Sequence, residues 1–279
     1  MNNLRNLTRG IYSMKKLIKK LVCTAVIVAM GISITACGGS DTMERIETTG
    51  KLVVGTSADY APYEYHKMID GKDTIVGFDI KIVEEISKDL GVQLEIVDMG
   101  FDGLLQALNT DKVDIVIAGM TPDEDRKKAV DFSMIYYEAK QGVLVRAEDK
   151  DKLKSIDDLK GKKVGVQLGT VQEKIGQTQM KDSTLVTLGK IPDLMMELKN
   201  KKVDALIVEL PVANGYVANN NDLALSEIQV EDETGGSAIA IKKDNKELVD
   251  AINKTLERIK NDGTIDKYVK EANEMNEVE

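Results

Sequence analysis

The chain has 279 residues and a formal net charge of −9 at pH 7, from 38 basic and 47 acidic residues. An acidic surface repels nucleic acid and anionic lipid, so we expect no nucleic-acid partner. The single histidine and two cysteines form no spacing typical of a zinc site, and no glycine-rich loop resembles a P-loop. No serine or cysteine has a histidine partner other than His66, so the sequence indicates no metal, no cofactor and no catalytic residues.

The amino terminus predicts a secretion signal. A basic stretch precedes residues 21–34, an apolar segment too short to span a bilayer comfortably. Residues 34–37, Ile-Thr-Ala-Cys, resemble the lipobox of bacterial lipoproteins, whose cysteine becomes the acylated first residue. We therefore predict a signal peptide over residues 1–36 and palmitate on Cys37, which would anchor the protein to the outer face of the membrane, a Gram-positive surface being favoured. An ordinary signal with an incidental cysteine is the alternative.

Cleavage before Cys37 would change the composition of the mature chain. It removes six basic residues and no acidic one, leaving 243 residues with 32 basic and 47 acidic side chains and a net charge of −15. Cys23 would be discarded and Cys37 would carry lipid, so no disulfide is available and stability must come from packed cores. Residues 37–49, acidic and rich in threonine, are predicted to form a tether. Both Met1 and Met14 stay open as the start of translation.

From residue 50 onwards the sequence alternates short β-branched runs with amphipathic helical stretches. The first series predicts strand, helix, strand, helix and strand, over residues 51–55, 79–90, 92–97, 101–109 and 114–118. After Gly161 the same order is predicted again, over residues 163–167, 170–179, 185–188, 193–200 and 205–208. Such alternation predicts an α/β fold with mixed, mostly parallel sheets flanked by helices.

The two series are related by an internal repeat. Residues 104–114 align with residues 194–204 without a gap, each giving a helix, a turn and a buried strand. Residues 50–54 likewise parallel residues 161–165, which favours two similar lobes over a chance match of two amphipathic helices. Because ligands of such sheets bind beyond the carboxyl ends of the strands, the positions after the last strand of each series are candidates for facing one cleft.

Seven segments carry a family resemblance: residues 56–64, 76–79, 101–104, 119–126, 130–133, 165–170 and 262–264. In order and spacing they resemble polar amino-acid-binding proteins, the extracellular solute-binding group with the type II periplasmic-binding-protein fold. The resemblance covers nearly all of the chain from Gly50 to about Ala272. It implies a monomeric substrate-binding lipoprotein that hands an amino acid to the permease and ATPase subunits of an ABC importer, and that is not an enzyme.

The resemblance also implies how the chain divides. Lobe 1 would contain residues 50–140 and 235–279, and lobe 2 would contain residues 141–234. Two crossing segments, near residues 137–142 and 231–237, would join the lobes and absorb closure around the ligand.

A zwitterionic ligand needs a cation and donors for its carboxylate. Arg126 matches the family arginine that grips this group, since a guanidinium offers two parallel charge-assisted hydrogen bonds. The alternative is a solvated charge in the run of residues 123–128. Thr121 would add a hydroxyl. In the second lobe, the N–H groups that open a helix would suit the same anion, and they belong to Gly169, Thr170 and Val171.

The ligand's ammonium group needs an anion. Glu209 aligns with the family acid that has this role, and it follows the apolar strand over residues 205–208. Relatives often have the shorter aspartate there. Gly119, at the corresponding place in the other lobe, would offer its backbone carbonyl to the same ammonium, and a simple turn glycine is the equal alternative.

Aromatic and polar residues would surround the ligand's side chain. Tyr60 and Phe101 match the family's aromatic pair, with core packing as the alternative. The remaining lining positions that would set the substrate are Ser57, Glu64, Ala118 and Gln167. Relatives with an acid at the position of Ser57 use it on a side-chain amide or cation, so its absence here weakens a single assignment. Glu64 has an alternative as the structural partner of a backbone amide.

The resemblance to several arginine-binding members favours a basic ligand, arginine first, because aromatic faces attract a guanidinium. Glutamine and cystine remain alternatives, and Gln167 suits a neutral amide equally well. Two other classes stay open: a sensor module working through a separate partner, and an enzyme similar to arogenate or prephenate dehydratases, with Glu209 as its acid or base. We expect His66 to be an exposed loop residue.

Overall fold

The computed structural model describes residues 42–232 and 235–276. The predicted signal peptide and Cys37 lie outside these residues. The first described element corrects the predicted tether, because Thr42–Thr49 forms helix α1. Ile46 is buried in the main core, and the backbone amide of Thr42 donates to Asn245 at 2.8 Å. One apolar anchor and a tertiary hydrogen bond therefore order a segment whose composition alone predicts a tether.

Strands and helices alternate along the chain. The strands are β1 (Lys51–Thr56), β2 (Asp59–Tyr60), β3 (Glu64–Ile69), β4 (Lys72–Val76), β5 (Gln93–Asp98), β6 (Ile115–Val116), β7 (Val130–Phe132), β8 (Gln141–Arg146), β9 (Lys163–Gln167), β10 (Thr184–Leu188), β11 (Ala205–Glu209), β12 (Leu223–Leu225) and β13 (Ala240–Lys242). The helices after α1 are α2 (Phe78–Leu90), α3 (Leu104–Asn109), α4 (Glu124–Ala129), α5 (Val171–Gln179), α6 (Ile191–Lys199), α7 (Leu210–Asn219), α8 (Lys246–Asn261) and α9 (Thr264–Asn276).

Two five-stranded sheets organise the molecule. The first has the order β5-β1-β6-β13-β7, and the second has the order β10-β9-β11-β8-β12. In each sheet three strands from one predicted series run parallel. Two further strands extend each sheet on one side through antiparallel pairs. Both series therefore form the same local unit, as the internal repeat predicts.

The chain passes between the sheets twice, after β7 and again before β13. The two passing segments pair through an antiparallel bridge between Tyr137 and Ser237. The amide of Ser237 donates to the carbonyl of Tyr137 at 2.8 Å, and the amide of Tyr136 donates to the carbonyl of Ser237 at 3.0 Å. These short paired segments lie within the two regions where the sequence places the crossings.

A third, small sheet of β2, β3 and β4 was not predicted. Its strands are mostly polar and half-exposed, so they show little of the apolar alternation that marks a strand. His66 lies in β3 rather than in a loop, although its side chain is exposed as expected. Its ring nitrogens contact the carboxylates of Asp73 and Asp98 at 3.0 and 3.2 Å.

Apolar faces of the helices pack on both sheets. The predicted stripe of α2, Ile82, Val83 and Ile86, is fully buried in the main core. The predicted helix over residues 101–109 begins as a 3-10 turn, Phe101–Gly103, before α3. In the described part of the chain no helix has both the length and the apolar character needed to cross a membrane.

Candidate ligand-binding site

A cleft with about 330 Å³ of empty space, part of it open to solvent, lies between the two sheets, at the carboxyl ends of strands from both. We call this space the cavity. Its wall contains ten of the twelve predicted binding residues, together with the predicted lining residue Ala118: Ser57, Tyr60, Glu64, Phe101, Gly119, Thr121, Arg126, Gln167, Thr170 and Val171. Ser57 follows β1, Gly119 follows β6 and Gln167 ends β9. The parallel strands therefore deliver these side chains to one place.

Arg126 is the buried cation of the cavity. Its guanidinium donates to the carbonyl of Thr121 at 2.7 Å and, across the cleft, to the carbonyl of Gly169 at 2.9 Å. The nearest carboxylate, that of Asp123, is 3.9 Å from Nε, and burial lowers the pKa of Arg126 against the opposing effect of this charge. The guanidinium also lies 5.2 Å from the centroid of the Phe101 ring, within range of a cation–π contact. Arg126 is therefore held in place by neutral carbonyls and an aromatic face.

The predicted anion-binding helix start is partly engaged within its own turn. The amide of Gly169 donates to the carboxylate of Glu173 at 2.8 Å. The hydroxyl of Thr170 accepts the amide of Glu173 at 3.3 Å, which makes Thr170 the N-cap of α5. Gly169 does not line the cavity, whereas Thr170 and Val171 do. The geometry therefore favours the last two residues as contacts of a ligand carboxylate.

Glu209 ends β11 and is almost fully buried beside the cavity rather than in its wall. Burial raises the pKa of its carboxyl to about 8 against the opposing effect of the nearby Tyr63 hydroxyl, and the charges of Asp232 and Asp79 add to the increase. Its Oε2 atom has no hydrogen-bond partner among the described residues. The backbone amide of Glu209 donates to the hydroxyl of Tyr60 at 3.0 Å, so this cavity residue joins the two sheets directly.

Gly119 occupies a position where any side chain would be strained. Its φ is +53°, and a Cβ atom there would lie 3.3 Å from the ring of Tyr63 and 3.4 Å from that of Tyr60. Its amide donates to Asp79 at 2.9 Å. The glycine thus keeps the backbone against the aromatic wall of the cavity.

Glu64 is a buried acidic residue in the wall of the cavity. Glu64 has no exposed surface, and no group of the described residues donates a hydrogen bond to either of its oxygens, so the alternative role as partner of a backbone amide is not observed. Burial raises the pKa of Glu64 well above its usual range, and the neighbouring carboxyl of Asp79 raises it further.

Two wall residues were missed by the sequence analysis, Asp59 and Gln172. Asp59 accepts the amide of Ile191 at 3.2 Å and the side-chain amide of Gln167 at 3.3 Å, both from the second sheet's side. Burial raises its pKa to about 6 against the effect of these donors. Asp59 lies two residues after Ser57, the position at which the sequence analysis looks for an acid. The acid two residues further along the same motif was the available signal.

Ion pairs also join the two sides of the cleft. Lys174 on α5 lies 2.8 Å from Asp123 and 3.0 Å from Asp125 at the start of α4. These ion pairs and the contacts that Asp59, Tyr60 and Arg126 make across the cleft hold it closed in the structure.

Comparison with known proteins identifies the group to which the chain belongs. Residues 52–273 match the bacterial extracellular solute-binding proteins, family 3. The chain is 40% identical over 255 residues, 90% of its own length and 97% of the relative's, to the arginine-binding extracellular protein ArtP of Bacillus subtilis. It is 30% identical over 242 residues to the L-cystine-binding protein TcyJ of Escherichia coli, covering 86% of this chain and 89% of TcyJ.

A solved structure agrees with the same grouping. The amino acid ABC transporter substrate-binding protein AbpA of Streptococcus pneumoniae, bound to L-arginine, superposes with a TM-score of 0.83 at 41% identity, covering 85% of this chain and all of that one. The predicted two-lobed α/β fold class and the predicted family resemblance are therefore confirmed. The chain belongs to the bacterial extracellular solute-binding proteins of family 3.

Proposed function

We propose that this protein is the substrate-binding component of an ABC importer and that it captures a basic L-amino acid, arginine first, between its two lobes. One observation carries the proposal: among the described residues, the wall of the cavity has one cationic side chain, that of Arg126, and two acidic ones, those of Asp59 and Glu64, with Glu209 beside it. This excess of carboxyl groups fits a ligand with two cationic groups and one carboxylate.

The α-amino-acid part of the ligand accounts for two of these charges. Arg126 would receive the carboxylate in a bidentate pair, with Thr121, Thr170 and Val171 around it. Glu209, whose Oε2 has no partner among the described residues, would receive the ammonium group. Because every α-amino acid has these two groups, this part of the site provides affinity but no choice between ligands.

The side chain of the ligand would contact the remaining carboxyl groups and the aromatic residues of the cavity. Tyr60 and Phe101 provide aromatic faces in the cavity wall, and Glu64 and Asp59 provide negative charge. A guanidinium satisfies both, since it stacks on aromatic rings and pairs with carboxylates. ArtP is named for arginine and AbpA was solved with arginine bound, which supports the same ligand here.

Residues 37–49 contain α1 and the five residues before it, and we extend the proposal to this segment. Removal of residues 1–36 and acylation of Cys37 would hold the protein at the outer membrane face, where it delivers ligand to a permease driven by an ATPase. Residues 50–140 with 235–279 would form one lobe, and residues 141–234 the other. Binding rather than turnover is expected, because Glu209, the acid beside the cavity, is committed to the ligand's ammonium group.

The test is competitive titration calorimetry on protein that starts after Cys37, with arginine, lysine, histidine, glutamine and cystine at physiological salt. A thermal-shift screen of the twenty amino acids precedes it, since a ligand that binds the folded state raises the melting temperature. Arginine is expected to bind most tightly. If glutamine or cystine binds more than tenfold tighter, the assignment of a basic ligand is wrong and the receptor role survives.

A further inference from the structure

Two neighbouring carboxyl groups lie at the cavity, that of Glu64 in its wall and that of Asp79 behind the wall. Glu64, from β3, and Asp79, in the first turn of α2, are both without exposed surface. Oδ2 of Asp79 accepts the amide of Gly119 and the hydroxyl of Tyr136, each at 2.9 Å. In the described residues no other group donates to Oδ1 of Asp79 or to either oxygen of Glu64. Each of the two carboxyl groups is the other's neighbour and affects its pKa.

Two adjacent carboxyl groups removed from water do not both ionise, because each charge raises the free energy of the other. The hydrogen-bond donors around the pair are unequally divided between the two carboxyl groups. Gly119 and Tyr136 stabilise a charge on Asp79, whose pKa burial nonetheless raises to about 6. Glu64 accepts no such hydrogen bond, and its pKa is raised well above the usual range, by burial first and by Asp79 second. This unequal distribution of donors favours the neutral form of Glu64 over that of Asp79.

The other charged groups near this pair have the same sign. Asp59 and Glu209 lie close enough to Glu64 to disfavour its ionised form. The cation of the same cavity, Arg126, has its guanidinium directed to the carbonyls of Thr121 and Gly169. The missing partner for an ionised Glu64 is thus a positive charge brought by a ligand.

We propose that Glu64 and Asp79 share one proton in the ligand-free protein, and that a cationic ligand side chain displaces this proton whereas a neutral side chain leaves it in place. The O–H bond of Glu64 breaks, the proton passes to solvent, and the carboxylate pairs with the ligand's cation. The pair changes from one negative charge to two while the ligand adds one positive charge, so the net charge of the pocket is unchanged. Asp79 is a positioning residue that sets the response to ligand charge.

The sign of the pH dependence follows from this exchange. Because binding of a cation releases a proton, affinity for arginine rises with pH below the raised pKa of Glu64 and falls on acidification. One released proton corresponds to about a tenfold change in affinity per pH unit. A neutral ligand lacks this contribution. The inference rests on the proposed basic ligand, and it adds a proton count that simple binding of arginine does not require.

The test is calorimetry at pH 7 in buffers of different ionisation enthalpy, where the slope of the observed enthalpy gives the number of protons released. Arginine is compared with citrulline, its neutral analogue of nearly the same shape, and with glutamine. Glu209, with a pKa of about 8, can also release a proton to solvent when any α-ammonium group pairs with it, and the neutral ligands report that contribution alone. Arginine is expected to release more protons than citrulline, by up to about one.

Two variants make the result specific. Glu64→Gln should abolish the extra release, and Asp79→Asn should reduce it by lowering the pKa of Glu64. If Asp79→Asn fails to fold, Glu64→Gln alone decides. If the neutral ligands bind too weakly, arginine binding to Glu64→Gln is the reference. Equal proton counts for arginine and the reference overturn this inference and leave the proposed function intact. Absence of arginine and lysine binding overturns the proposed function and this inference with it.

Discussion

Arg126 is the residue on which binding of every ligand should depend, because all α-amino acids share the carboxylate. We predict that Arg126→Ala weakens binding of all ligands by about 2 to 5 kcal/mol, since one partner of a desolvated charge pair is removed. Arg126→Lys should restore part of the loss, because an ammonium group cannot form the bidentate pair. Calorimetry with arginine and glutamine measures both variants.

The matched control is Arg258→Ala. Arg258, on the surface of α8, pairs with Glu85 and Asp89 of α2. Its removal should not affect binding. Arginine binding within tenfold of wild type in Arg126→Ala would remove Arg126 from the site.

Gly119 gives a second prediction at the same scale. An alanine there must adopt φ near +53° and push against the rings of Tyr63 and Tyr60. We expect Gly119→Ala to destabilise the protein by more than about 1 to 2 kcal/mol, the typical effect of a left-handed residue, and to weaken ligand binding by moving Tyr60. Denaturant unfolding and calorimetry measure the two effects.

Gly91→Ala is its control, because Gly91 has φ +70° with open space around the added Cβ. It should lose stability without losing affinity. Equal affinity losses in both variants would mean that strain, not displacement of Tyr60, is responsible.

The sequence predicts which residues belong to the candidate site better than it predicts the contacts that these residues make. Ser57, Tyr60 and Arg126 are identified because they lie in short sequence motifs that resemble those of the family. The pairing of Glu64 with Asp79, and the engagement of Gly169 by Glu173, depend on contacts between separate elements. Asp59 was missed for the same reason, since its role depends on Ile191 and Gln167 from the other side of the cleft.

At the scale of elements, α5 and α4 are joined across the cleft by Lys174. We predict that Lys174→Ala weakens ligand affinity a few-fold, because the closed form loses an exposed ion pair worth about 1 kcal/mol or less. The effect should shrink at high salt, which screens exposed charges. Lys128→Ala is the control, since Lys128 contacts Asp125 at 2.9 Å within its own helix and does not cross the cleft. Affinity that is equal for the two variants at low salt would exclude the bridge as a closing contact.

Elements with a strong apolar period are predictable, and those without it are not. The strand over residues 163–167 has the observed bounds of β9, and the helix ending at residue 179 has the observed end of α5. The sheet of β2, β3 and β4 and helix α1 escaped prediction because their side chains are largely polar. Both owe their order to packing against the first lobe, which periodicity along one segment does not report.

At the scale of the whole molecule, the two sheets meet through short paired segments at Tyr137 and Ser237 and through contacts around the cavity. Opening of the cleft would also have to break contacts such as the hydrogen bond from Asn219 to the carbonyl of Asn276 and to divide the apolar core that the two sides share. Ligand binding should shift the protein between an open and a closed form, as expected for hinge-type closure.

Anchoring is the remaining property of the whole molecule, and it should be separable from binding. Cys37 lies outside the described residues, and the fold from α1 onwards is held by its own buried contacts, such as that of Ile46. We predict that Cys37→Ser leaves the melting temperature and arginine affinity unchanged but moves the protein from the membrane fraction to the medium, because a lipid chain is the only anchor we propose. Detergent-phase partitioning of wild type and variant, expressed with the full signal, measures this. Equal partitioning of the two forms would refute acylation at Cys37.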